Sequence, residues 1–201
     1  MGEAMTRASR EYFNRQASSW KSHPEEDELI LGHLRRFGIR PGERVLDLGC
    51  GTGRLNPLLC QLTGYSGKLV QADYAREMLQ VGRQKNPNSQ WICADAHRLS
   101  FRDDRFDRIV CVSTFPHFKN PRMVLSEIHR LLAPGGWMLI LHTCCSIRLN
   151  QMHSQMESVI AGHRLPRVVD LEPILHEILF INITFQENPQ LYWLSAQKAE
   201  K

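Results

Sequence analysis

Three glycines at alternate positions, Gly49, Gly51 and Gly53, follow an apolar run of Val45, Leu46 and Leu48 that only Asp47 interrupts. Such a run reads as a buried strand, and the glycines as the turn that opens a helix. Lacking a Cβ, they let the chain take φ > 0 and let a ligand lie close to the backbone. A turn of this kind can hold a dinucleotide, a phosphate or another adenosine compound. The dinucleotide spacing needs a further glycine where Arg54 stands, and a phosphate loop needs Gly-Lys-Ser/Thr at its end; neither is present. Asp73 follows a second apolar run about twenty residues beyond the turn, where a carboxylate can accept both hydroxyls of a ribose.

A second group of chemically capable residues lies later in the chain: His117, His142, Cys144, Cys145, Asn150, His153 and His163. Three uses are open to them. His142 and His153 can contact or deprotonate a substrate; they can hold a metal together with His163 or a thiolate; or they can be structural. Adjacent Cys144 and Cys145 lack metal-ligand spacing, whereas Asn150 and His153 share one helix face.

These residues need a scaffold, and the apolar periodicity supplies one. Strands are expected near 43–48, 67–72, 89–93, 106–112 and 136–143, with helices near 53–62, 75–85 and 120–133 between them. Alternation of this kind predicts a parallel sheet covered on both faces. Before it, Tyr12, Phe13, Ala17 and Trp20 mark a short amphipathic helix, and a second runs from Glu25 to Phe37, ended by Gly38. After it, a helix over 146–161 and a shorter one over 171–179 lead to two strands, 180–186 and 190–196, joined by a turn at Glu187-Asn188-Pro189. Ligands bind beyond the carboxyl ends of strands in open parallel sheets, where the histidines should converge.

The segment Asp47-Leu48-Gly49-Cys50-Gly51-Thr52-Gly53 resembles the first motif of class I S-adenosylmethionine-dependent methyltransferases. Val70 to Leu79 resembles the family's second strand with its terminal acid, Cys93-Ala94-Asp95-Ala96 the end of the third, Phe106 to Cys111 the fourth, and Glu127 to Gly136 the helix and turn before the fifth. The likeness covers about half the chain, and the small-molecule type similar to quinone-pathway enzymes is the expectation. It implies an α/β, Rossmann-like, seven-stranded, mostly parallel sheet whose last strand is antiparallel, forming a single domain over 1–201. It also implies S-adenosyl-L-methionine as cofactor. Asp47 would orient its amino-acid end, while Gly49, Cys50, Gly51 and Gly53 lie against it. Asp73 would hold the ribose and Asp95 the adenine amino group, with Ala96 offering a backbone N–H. Tyr74 and Met78 would cover the ring, and Cys111 and Val112 would sit beneath the sulfonium. Tyr12 and Trp20 would close over the site as part of a lid, residues 1–24. His142 and His153 are the candidate catalytic groups. His117, Asn150 and His163 join them on the acceptor side, in part on a segment, 144–170, that the shared motifs leave free. An RNA or protein acceptor, or a non-catalytic, metal-sensing protein, is the alternative.

Composition narrows the class further. A 201-residue chain suffices for one core, and its net charge of +4 is scattered, which argues against nucleic acid as a partner. No apolar run approaches the ~20 residues of a membrane span. The six cysteines form no Cys-x-x-Cys pair, so free thiols in a reducing cytoplasm are expected. A small-molecule methyl acceptor is expected, with no resident metal.

Overall fold

The computed structural model describes residues 2–20 and 23–200. Met1, Lys21 and Ser22, which belong to the expected lid segment, lie outside the described residues. Five strands are parallel neighbours: β1 (Arg44–Leu48), β2 (Lys68–Asp73), β3 (Gln90–Cys93), β4 (Phe106–Val112) and β5 (Leu132–His142). A closing hairpin, β6 (Phe180–Asn188) and β7 (Leu191–Lys198), completes a seven-stranded sheet in the order β3-β2-β1-β4-β5-β7-β6. Only β7 runs against the rest, pairing antiparallel with both β5 and β6. The central strands are apolar on both sides because both faces are covered, as parallel sheets require. Along β4, Ile109 and Cys111 point to one core, while Val110 and Val112 point to the other.

Helices α2 (Asp27–Phe37) and α3 (Asn56–Thr63) cover the second face through Ile30, Leu34, Phe37 and Leu59. Helices α5 (Pro121–Leu131) and α8 (Val168–Glu177) cover the first through Leu125, Ile128, Leu171 and Leu175. Helix α1 (Gly2–Gln16) lies instead over α4 (Arg76–Lys85), where the Asn14 side-chain oxygen accepts the Glu77 N–H at 3.1 Å. Two short helices, α6 (Ser146–Ser154) and α7 (Ser158–Ala161), lie after β5. No helix of the described residues is long and apolar enough to cross a membrane.

Several boundaries differ from the expected ones for local reasons. The helix after the glycine turn begins at Asn56, not 53, because Gly53 has φ +75° and Pro57 occupies the first helical turn. The expected helix over 146–161 divides, since Glu157 is extended (φ −51°, ψ 147°) and restarts the chain as α7. β5 begins at Leu132, with an irregularity between its pairings Phe106↔Leu132 and Arg108↔Trp137, where Gly135 takes φ +76°. β6 continues to Asn188, which moves the hairpin turn to Pro189-Gln190.

Candidate active site

The glycine turn is held against the end of β2. Gly49 and Cys50 donate their N–H groups to the Ala72 carbonyl at 2.8 and 3.1 Å. Asp73, the last residue of β2, accepts the Gly51 N–H on Oδ2 and the Ala75 N–H on Oδ1, both at 2.8 Å. Gly49 is fixed by more than its φ of +79°: a Cβ there would stand 2.1 Å from the Thr114 hydroxyl. Burial raises the Asp73 carboxyl, and the bonds from Ala75, Gly51 and Tyr74 work against that rise. Asp47 has no such help. It is buried with no partner on Oδ2, and desolvation, reinforced by the Asp73 charge, pushes its pKa up to about 8.

A cavity of about 670 Å³ opens beyond this edge of the sheet. Its first half is bounded by Asp47, the turn, Asp73, Tyr74, Met78 and Asp95. Asp95 accepts from His97, through its backbone N–H at 2.9 Å and its Nδ1 at 2.5 Å, and that pairing lowers the carboxyl pKa. Helix α1 closes the cavity from above. Tyr12 and Phe13 are buried, and Phe13 meets Trp20, Tyr74 and His117 edge-on at centroid distances of 5.8, 6.2 and 4.9 Å. Trp20 is 43% exposed and stands at the rim of the cavity.

The second half is walled by His117, His142, His153, Met152 and Met156, with Cys144 also on the lining. His142 ends β5, is buried, and has no partner for Nε2; burial takes its pKa down to about 3. His117 stacks on His153 at 5.3 Å, and burial with the neighbouring histidines keeps it far below an ordinary imidazole. His153 donates from Nδ1 to the His163 carbonyl at 3.2 Å. Imidazoles buried without a carboxylate partner stay neutral at neutral pH. Among the described residues no three His, Cys, Asp or Glu groups could hold a metal ion.

Four residues expected at the site from the sequence are off the lining. Asn150 uses its amide to grip the chain, accepting the Leu165 N–H at 2.7 Å and donating to the Leu165 carbonyl at 2.9 Å. His163 is buried behind His117, and Cys111 is fully buried in the core below Val112, which does reach the cavity. Gly53 is likewise off the lining; its missing Cβ makes room for Trp91, which that atom would meet at 2.3 Å. In the other direction, Arg54 reaches Asp27 and Glu26 at 2.7 and 3.1 Å, and Glu26 accepts from Thr143 at 3.0 Å. Arg54, Glu26 and Thr143 all line the cavity. Only Arg54, next to the glycines, carried a local signal; the ion pair that joins it to Glu26 spans 28 positions and leaves no periodic trace.

Comparison with known proteins agrees with this geometry. A methyltransferase-domain family model matches residues 46–140. The ubiquinone/menaquinone biosynthesis C-methyltransferase UbiE of Vibrio parahaemolyticus is 34% identical over 160 residues, covering 72% of this chain and 61% of that protein. Residues 46–140 thus carry a methyltransferase domain, and the chain is similar to the class I S-adenosylmethionine-dependent methyltransferases. UbiE of Teredinibacter turnerae is 40% identical to this chain over 110 residues, 52% of this chain and 44% of that protein. The chain thus spans about half the length of the curated relatives it matches. A solved S-adenosylmethionine-dependent methyltransferase of Aquifex aeolicus shares the fold, with a TM-score of 0.69 at 18% identity over 89% of this chain and 100% of that one.

Proposed function

We propose that this methyltransferase moves the methyl group of S-adenosylmethionine to a small organic acceptor held in the histidine half of the cavity. The observation that carries the reading is continuity: one space of about 670 Å³ joins the glycine turn and its acids to the histidine wall. A sulfonium is a strongly activated methyl donor, so the protein has mainly to align the reactants and exclude water. Asp73 accepts the Gly51 N–H on Oδ2 and the Ala75 N–H on Oδ1, and its carboxylate keeps lone-pair capacity for a ribose. Asp95 takes the adenine amino group, the Ala96 N–H meets the ring, and Tyr74 and Met78 cover it. Asp47 orients the amino-acid end, Gly49, Cys50 and Gly51 lie along the cofactor, and Val112 sits beneath the sulfur with Cys111 supporting it. Residues 1–24 act as the lid, Tyr12 and Trp20 included, on a single domain whose 144–170 segment sets acceptor choice.

On the acceptor side, the His142 Nε2 receives a polar atom of the acceptor, which removes the cost of leaving it buried and unpaired. His153 keeps its proton on Nδ1, bonded to a carbonyl, and so presents a bare Nε2 as a base. Neutral imidazoles beside Met152 and Met156 suit an uncharged ring better than a polyanion. The relatives' names point to carbon methylation of a quinone-type ring, and we extend that chemistry to this chain. Its six free thiols fit a reducing cytoplasm.

Calorimetry with S-adenosylhomocysteine should give a micromolar dissociation constant, about 7–8 kcal/mol. An absence of heat at millimolar ligand rejects the assignment. A metabolite extract supplied with isotopically labelled methyl donor should show label in a small molecule; label confined to RNA or protein would replace this reading.

A further inference from the structure

Behind the acceptor wall, His163 makes three bonds to three different elements. Its Nε2 meets Ser9 Oγ of α1 at 3.1 Å, its Nδ1 meets His117 Nδ1 at 2.7 Å, and its carbonyl accepts from His153 Nδ1 at 3.2 Å. His163 is buried and stays off the lining, whereas His117 and His153 stand on it. We propose that His163 is a positioning residue that couples docking of the N-terminal helix to the hydrogen-bonding form of the acceptor wall: Ser9 on one ring nitrogen sets what His163 offers His117 from the other. The proposal rests on the methyltransferase reading for the meaning of lid and acceptor, and on the geometry for the coupling itself.

A neutral imidazole carries one N–H, and two Nδ1 atoms at 2.7 Å need one donor and one acceptor. If the Ser9 hydroxyl donates to Nε2, His163 carries its proton on Nδ1, gives it to His117, and leaves His117 with its own proton on Nε2. If Ser9 accepts instead, every assignment reverses and His117 has a bare Nε2. The direction of the Ser9–His163 bond is therefore linked to whether a cavity histidine is a donor or an acceptor. His153 is set separately, because a carbonyl can only accept. Burial, with His153 and Lys119 adding to it, takes the His163 pKa down to about 4, so tautomer rather than charge is the variable. With α1 withdrawn, His163 loses its Ser9 partner, and the link between lid and wall is lost.

Long-range proton–nitrogen spectra of the full chain with isotope-labelled histidine test this, first without ligand and then with saturating S-adenosylhomocysteine. His117, His153 and His163 should each show one tautomer at neutral pH. Ser9→Ala should leave His117 and His163 averaging between two forms while His153 keeps its Nδ1 proton. An unchanged His117 signal in that variant overturns the coupling. A second arm measures S-adenosylhomocysteine affinity for Ser9→Ala, His117→Gln and the double variant. The two changes should depart from additivity by about three-fold or more, and become additive in a His163→Gln background. Additivity with His163 in place overturns the proposal. Failure of the parent chain to bind would reject the methyltransferase reading, while the ligand-free spectra still decide the role of His163.

Discussion

Asp47 and Asp73 lie at the same sheet edge, and burial raises both carboxyls, but only Asp73 has backbone hydrogen bonds that work against the rise. Two backbone N–H groups stabilise Asp73 as an anion, so it can serve as a charged acceptor. Asp73→Ala should therefore weaken S-adenosylhomocysteine binding by about 1–3 kcal/mol in calorimetry; unchanged affinity would move the ribose contact elsewhere. Asp47 instead has a folded pKa of about 8 against an ordinary value of 3.8. Between those values the folded chain holds a proton that the unfolded chain has lost. Stability from this group is thus fully present below about pH 4 and falls as pH rises towards about 8. Asp47→Asn should remove that fall, read as the difference between urea midpoints at about pH 5 and about pH 8. A parent chain showing the same pH difference as the variant would place the ionised form in the fold.

One indole organises the elements that carry the cofactor half. Trp91 of β3 lies between the glycine turn and α4, since a Cβ on Gly53 or Gly82 would meet its ring at 2.3 or 2.4 Å. Alanine in a helix normally gains about 0.5–1 kcal/mol over glycine, but overpacking costs about 1–3 kcal/mol, so Gly82→Ala should lower the denaturant midpoint. In a Trp91→Leu background that cost should vanish; its persistence would mean the ring is not the obstacle. The lid gives a second test at this scale. S-adenosylhomocysteine should protect α1 from limited proteolysis, and equal cleavage with and without ligand would reduce the helix to a packing role. The elements themselves were legible because strand and helix periods differ and the glycine motif has fixed spacing. Histidine convergence was legible only as a region. Asn150 shows why: its position on α6 predicted a face shared with His153, but its amide is engaged by Leu165 fifteen residues away. Ser9 and Glu26 gave no signal, because their partners, His163 and Arg54, come from distant segments.

At the scale of the whole molecule, one wall of the cavity is built of uncharged imidazoles, and under the proposed function that wall adds no positive charge of its own beside a sulfonium. The fold accepts a stability cost for this in acid. His142 and His163 titrate near 3 and 4 in the fold against an ordinary value of 6.5. Below 6.5 the unfolded chain binds protons that the folded chain refuses, so stability is present above that pH and declines as pH falls towards the folded values. Each such group contributes a slope of up to about 1.4 kcal/mol per pH unit. Asp47 acts in the opposite sense over part of the same range, so the histidine contribution is best isolated by difference. His142→Leu keeps an apolar side chain at the end of β5 while removing one titrating ring. Its unfolding free energy, measured in urea from about pH 7 down to about pH 5, should fall less steeply than that of the parent by close to one proton. Equal slopes would mean that His142 is protonated in the folded cavity, and a charged wall facing a sulfonium would then need a different acceptor chemistry.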